Sequence, residues 1–231
     1  MPQSFAYILN RRPFRESSQL VDIFTEDHGN ICCVARPAKK RGKILKGNLE
    51  PFRYLYINWI GKGDVQTLTE ADERGRHKIP PSEMMLGLYL NELLLLLTRQ
   101  HVAQPELFSA YKYTLHKLAD PSINRQIMMR FELYLLANLG YPLALQTDQA
   151  ILSEMRYLLT QDEGLIMASD KDIDATRNLV CTQAISGELL IALQDLPSMQ
   201  AIQWKQLRQY LDAVFKDIAP RKINSRQLLN I

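Results

Sequence analysis

Phe52-Arg53-Tyr54-Leu55-Tyr56-Ile57-Asn58-Trp59-Ile60 leads through Gly61-Lys62-Gly63-Asp64 into Val65-Gln66-Thr67-Leu68-Thr69-Glu70. The two flanks are rich in β-branched and aromatic residues, and the glycine-rich break between them has hairpin chemistry. Residues 52–70 therefore predict two antiparallel strands joined by a short turn. Upstream, three more runs of the same kind occur at Ser4–Leu9, Gln19–Thr25 and Asn30–Arg36, the last two parted by the turn-forming Asp27-His28-Gly29-Asn30. Five strands in about 70 residues cannot leave both sheet edges bare. A small closed barrel of the OB type is the economical arrangement, and it is expected to be antiparallel.

The pattern changes after Pro80-Pro81. Ser82 can cap a helix whose apolar positions Met85, Leu88, Tyr89 and Leu93 recur at helical spacing, with Glu83 in its first turn. A second helix fits Pro105–Leu118. A third starts near Ser122, carries Ile127, Phe131, Leu135 and Leu139 on one face, and stops at Gly140. Helical patterns return at Asp148–Leu159 and Gln203–Phe215, with a short one after Asn224, while about Thr160 to Ile185 is polar and unassigned. The expected fold class is α+β: a five-stranded OB-type barrel over residues 1–80, then an all-helical domain over 81–231.

Charge divides at the same place. Residues 1–80 hold 14 Lys+Arg against 9 Asp+Glu, a net +5, and residues 81–231 hold 14 against 16, a net −2. A basic N-terminal part points to a polyanionic partner. With 46% hydrophobic and 23% charged residues over 231 positions, the chain reads as folded rather than disordered. Three cysteines without C-x-x-C spacing, Cys32, Cys33 and Cys181, fit a reducing cytoplasm and no structural zinc. The first residues lack a basic region before an apolar core, and Met84–Leu97, broken by Asn91 and Glu92, is too short to cross a bilayer. Neither export nor a membrane partner is expected.

Catalytic signals are missing from the sequence. Gly42-Lys43 and Gly61-Lys62 lack the rest of a phosphate-binding G-x-x-x-x-G-K-[ST] loop. His28, His77, His101 and His116 have no ligand spacing, and Asp170, Asp172 and Asp174 are followed by Ala175 and Cys181 where a calcium loop needs glycine and glutamate. The expectation is a protein that is not an enzyme and carries no cofactor.

What remains is basic. Arg36, Lys39, Lys40, Arg41, Lys43 and Lys46 fall within eleven residues with no acidic residue among them. In a loop between barrel strands they would neutralise phosphates without reading bases. A solvated, solubilising loop is the competing reading. Arg11, Arg12 and Arg15 are expected in the loop between the first two strands, one of the loops flanking an OB binding face. Tyr54 and Tyr56 alternate with Leu55, Ile57 and Trp59 and so should share the outer face. There they could stack unpaired bases, unless the following helices cover them.

These residues also carry a family likeness. Arg11-Arg12-Pro13-Phe14-Arg15-Glu16-Ser17-Ser18, Phe24-Thr25-Glu26-Asp27-His28-Gly29, Leu49-Glu50-Pro51-Phe52 and Trp59-Ile60-Gly61-Lys62-Gly63 occur in this order. They are followed by Leu88-Tyr89-Leu90-Asn91-Glu92-Leu93, Pro105-Glu106-Leu107-Phe108, Arg130-Phe131-Glu132, Leu139-Gly140-Tyr141 and Ser225-Arg226-Gln227-Leu228-Leu229. In order and spacing the chain resembles the RecO proteins of bacterial recombinational repair. The resemblance implies an OB domain and a helical domain, binding of single- and double-stranded DNA, and strand annealing at the nucleoid. It also implies action with RecR to help RecA displace single-strand-binding protein, whose acidic, hydrophobic C-terminal tail would be recognised. For that tail the helical part offers Arg125, Arg130, Arg221 and Lys222, if they converge rather than standing as ordinary exposed helix charges. Many relatives carry a four-cysteine zinc module after the Leu-Gly-Tyr segment. Here Leu143 to Ser169 contains no cysteine, so no metal is carried over. The alternative from another class is a non-catalytic scaffold whose barrel binds acidic protein tails.

Overall fold

The computed structural model describes residues 1–36, 49–120, 126–145, 150–168 and 178–228. By contacts the chain divides into two compact units, residues 1–123 with 223–231, and residues 124–222.

The first unit is built on a closed barrel of β1 (Gln3–Phe14), β2 (Ser18–Thr25), β3 (Gly29–Ala35), β4 (Arg53–Ile60) and β5 (Val65–Arg76), in the order β1-β2-β3-β5-β4 with β4 closing on β1. This is the five-stranded OB-type arrangement expected. One pair differs, because β3 and β5 run parallel, Cys32 opposite Val65 and Ala35 opposite Leu68. Closing the barrel after the β4–β5 hairpin brings β5 alongside β3 in the same direction. Ala6, Ile8, Val21, Ile23, Ile31, Cys33, Leu55, Ile57, Trp59 and Leu68 fill the interior with their period-two alternation. At the β2–β3 turn Gly29 adopts φ +65°, and a Cβ there would lie 2.1 Å from the Val102 carbonyl oxygen, so only glycine fits.

β1 and β5 are longer than the sequence suggests, because Asn10-Arg11-Arg12-Pro13 and Asp72-Glu73-Arg74 continue the ladders with polar side chains. A register shift between Ile8 and Asn10 bends β1 at that point.

Two helices complete this unit, α1 (Met84–Leu97) and α2 (Pro105–Leu118). α1 begins after Glu83, whose side chain makes no capping bond, so Ser82 does not cap it. α2 has Pro105 in its first turn, Glu106 beside it and His116 and Lys117 in the last, a distribution matched to the helix dipole. Buried amides tie the helices to the barrel. Asn91 donates to the Leu9 carbonyl at 3.0 Å and accepts the Tyr111 hydroxyl at 2.5 Å, while Asn30 donates to the Leu94 carbonyl. These two helices thus group with the barrel by contacts, although the change in sequence period falls at Pro80-Pro81.

The chain end also returns to this unit. The Glu92 carboxylate accepts from the backbone N–H groups of Asn224 (2.9 Å) and Ser225 (2.8 Å) and from the Ser225 hydroxyl, at the start of a 3-10 turn over Ser225–Leu228. Glu92→Ala should remove that anchor at a local cost of about 1.5–3 kcal/mol per charge-assisted bond. Hydrogen exchange at Asn224 and Ser225 should then accelerate while α1 amides keep their protection.

The second unit contains α3 (Gln126–Asn138), α4 (Gly187–Ala192) and α5 (Ala201–Ile218), with Phe131 and Leu135 of α3 buried as expected. It is not all-helical. β6 (Arg156–Thr160), β7 (Gly164–Met167) and β8 (Ile185–Ser186) form a three-stranded sheet in the order β7-β6-β8. The helix expected at Asp148–Leu159 is therefore absent from its described part, and Tyr157, Leu158 and Leu159 are buried strand residues instead. No described helix is long and apolar enough to cross a membrane.

Candidate nucleic-acid interface

Pairing register sorts the first three strands into faces. Val21, Ile23, Ile31, Cys33 and Ala35 point inward. Asn10 opposite Asp22, Arg12 opposite Leu20 and Phe14 opposite Ser18 point outward, as do Cys32 opposite Asp22 and Val34 opposite Leu20. The far end of this outer face carries Phe14, Leu20 and Val34, all half-buried, with exposed Arg12 and Arg15 beside them and exposed Arg36 directly after β3. An apolar strip rimmed by guanidinium groups can seat bases while phosphates meet the rim.

The cations on this end differ in availability. Arg11 and Arg12 lie within β1, not in a loop, and only Arg15 is in the three-residue turn to β2, at φ +53°. The sequence expectation erred because a polar strand end reads like a loop. Arg11 shares the inward register of Val21 and is bridged by Glu50 through both carboxylate oxygens, at 3.0 and 3.2 Å. Arg12 is 56% exposed and only loosely paired, 3.9 Å from Asp22, and Arg15 lies 5.2 Å from the Phe14 ring centroid. Lys39, Lys40, Arg41, Lys43 and Lys46 lie outside the described residues.

Tyr54 and Tyr56 share the outer face of β4, as their alternation predicted, and are half-buried. They belong to a different patch from the arginines. Tyr56 pairs with Phe5, which is seven residues from Arg12 along β1, about 23 Å of strand. Phe5 stacks on Tyr54 with centroids 4.9 Å apart and meets Tyr56 edge-on at 5.1 Å. The Lys112 ammonium of α2 lies 3.8 Å from the Tyr54 centroid and the Arg74 guanidinium 5.5 Å from that of Tyr56. The π surface of Tyr54 is thus already engaged.

Behind this patch, the buried Tyr7 packs against Phe108 and Tyr111 of α2, and its hydroxyl lies 2.9 Å from His77 Nε2. Burial, reinforced by His116 and Lys112 nearby, pulls His77 down to about 4. Because the unfolded chain would take up this proton near pH 6.5, stability is lost as pH falls from about 6.5 to 4. Chemical denaturation across that range should show His77→Gln with a shallower acid decline than the parent, by up to about 1.4 kcal/mol per pH unit.

The cysteines do not converge. Cys33 points into the barrel core and Cys32 outward, and Cys181 belongs to the other unit. Burial pushes the Cys33 thiol to about 12, and burial with the neighbouring Asp22 carboxylate holds Cys32 at about 11, so neither is poised as a nucleophile. Among the described residues no three His, Cys, Asp or Glu side chains cluster as metal ligands.

Of the residues singled out for a protein partner, Arg130 is exposed on α3, and Arg221 and Lys222 are exposed just after α5. Arg125 lies outside the described residues. Arg208 of α5, ten helical residues before Ile218, pairs with Glu132, two residues after Arg130 on α3. Sequence reading missed Lys112, Arg74 and Phe5. The half-buried lysines of α2 are visible in its pattern, but the position of Lys112 beside β4 is not.

Comparison with known proteins bears on the same chain segments. A family model described as "Recombination protein O N terminal" matches residues 1–74, and one described as "Recombination protein O C terminal" matches residues 81–151. A protein of Halorhodospira halophila named DNA repair protein RecO is 32% identical over 232 residues, covering 96% of this chain and 94% of the relative. The protein of that name from Polaromonas sp. is 34% identical over 92% of this chain and 80% of its own length. That from Aromatoleum aromaticum is 40% identical over 63% of this chain and 61% of its own.

Proposed function

Because the chain belongs to the RecO family of DNA repair proteins, we propose that it is a non-enzymatic mediator that binds single- and double-stranded DNA and anneals complementary strands. In this reading it acts at the nucleoid with RecR to help load RecA onto DNA coated by single-strand-binding protein. The observation that carries the proposal is the outer end of β1–β3, where half-buried Phe14, Leu20 and Val34 are rimmed by exposed Arg12, Arg15 and Arg36. The basic run from Lys39 to Lys46 follows directly in sequence.

The barrel over residues 1–80 would supply DNA contacts, and residues of the second unit the contacts to protein partners. Two like-charged strands held against one cationic surface repel each other less, so complementary bases can pair without nucleotide hydrolysis. Arg130, Arg221 and Lys222 would supply cations to the acidic tail of single-strand-binding protein, each as a separate contact. Mixing labelled complementary oligonucleotides with the protein in the absence of ATP tests the proposal. Annealing faster than the spontaneous rate is expected, and no acceleration contradicts it. Binding of an acidic tail peptide with no binding of DNA would favour the scaffold reading instead.

A further inference from the structure

α2 presents more to solvent than a helix packed on a barrel requires. Tyr113 is 54% exposed, and the Lys117 ammonium lies 5.5 Å from its ring centroid. On the neighbouring stripe, Lys112 reaches over Tyr54 of β4, and exposed His116 lies one turn further, its ring 6.4 Å from His77. The surface continues to Tyr56 with Arg74 beside it. Acidic groups on this side are already engaged: Asp72 is 3.9 Å from Arg74, Glu70 accepts from Asn58 of β4 at 2.7 Å, and Glu106 is confined to the first turn of α2. Alternating cations and aromatic rings match a chain that is itself alternating phosphate and base.

We propose that the exposed side of α2, with the outer face of β4, is a second track for single-stranded nucleic acid, separate from the arginine-rimmed end of β1–β3. Lys112 and Lys117 contact phosphates and Tyr113 stacks a base. The two lysines are five residues apart on α2, about 7.5 Å of rise, so they meet different parts of one strand. Tyr113 is the stacking residue because its ring is open to solvent, whereas Tyr54 is already engaged by Phe5 and Lys112. Two tracks on one unit would let the protein hold two strands before they pair. The inference rests on the DNA-binding reading above and adds to it the place and residues of the second contact.

The test uses the full chain and a labelled oligothymidylate, with affinity read by fluorescence anisotropy over a range of salt. Three variants are compared with the parent: Lys112→Glu with Lys117→Glu, Tyr113→Ala, and Arg12→Glu with Arg36→Glu. The lysine pair should weaken binding and flatten the log–log salt slope by about 1.4, two contacts at ~0.7 each. Tyr113→Ala should lower affinity by about five-fold or more, the low end for one stacked base, with its salt slope unchanged. Because Tyr113 is exposed, this variant keeps the test decisive should the lysine pair disturb folding. Parent-like affinity in Tyr113→Ala, together with a parent-like slope in the lysine pair, overturns the second track. So does polyglutamate binding to the parent that is lost in the lysine pair while oligonucleotide affinity is the same in both, which would make the surface a docking site for acidic protein. A parent that binds no oligonucleotide fails the underlying reading. A parent that binds through the Arg12–Arg36 end alone fails only the inference.

Discussion

Glu132→Ala is expected to destabilise the second unit by about 3–5 kcal/mol, the usual cost of leaving one partner of a buried ion pair without its counter-charge. Glu132 on α3 is fully buried, and Arg208 on α5, 6% exposed, donates to it at 2.5 Å. Arg208 also reaches Asp212 one turn along α5 at 2.8 Å, but that carboxylate is 36% exposed and cannot replace the buried one. Removing Glu132 would thus leave a guanidinium largely desolvated. Trp204, buried one turn before Arg208, gives a local reporter, and a Trp59→Phe background makes it the sole tryptophan. The midpoint of its denaturant transition should fall sharply in Glu132→Ala. It should be largely restored when Glu132→Leu is combined with Arg208→Met, since an apolar pair of similar volume needs no counter-charge. A loss under about 1 kcal/mol in Glu132→Ala would show that the pair is not what secures α3 to α5.

The other large effect concerns Lys39, Lys40, Arg41 and Lys43. Changing all four to alanine should weaken binding to any single strand regardless of base sequence and flatten the log–log salt slope by roughly 3, four phosphate contacts at ~0.7 each. Thermal stability should barely move, because a run of like charges contributes solvation rather than packing. Unchanged affinity and slope would reduce the run to solubilising charge.

Much of the barrel was legible because its core residues alternate and its turns carry their own chemistry. Thr25-Glu26-Asp27-His28-Gly29 shows this well: the Thr25 hydroxyl donates to the Gly29 carbonyl at 2.7 Å and accepts the His28 N–H at 3.1 Å. The same device recurs at Thr160-Gln161-Asp162-Glu163-Gly164, where Thr160 donates to Gly164 at 2.9 Å and accepts from Glu163 at 3.2 Å. That repeat was the available cue to β6 and β7. The spacing of Ile151, Met155, Leu158 and Leu159 imitates a helix, although Tyr157, Leu158 and Leu159 are consecutive buried strand residues. Polar strand ends misled in the opposite sense, so that Arg11 and Arg12 read as a loop.

The candidate site was half legible. A basic run and an alternating Tyr-Leu-Tyr announce themselves, but contacts between distant segments do not. Nothing in the sequence pairs Arg11 with Glu50, places Lys112 over Tyr54, or seats His77 on Tyr7 across 70 residues. Register also separates what sequence reading had joined, since the arginines and tyrosines fall on different parts of the outer face.

Titration of the full chain with a single-stranded oligonucleotide at about 50 mM and 200 mM salt tests the central claim most directly. Binding that is measurable at the lower salt and falls steeply at the higher one, without nucleotide present, is the predicted result. Absence of binding at both salts, or an affinity indifferent to salt, would contradict a cationic DNA-binding surface on this protein.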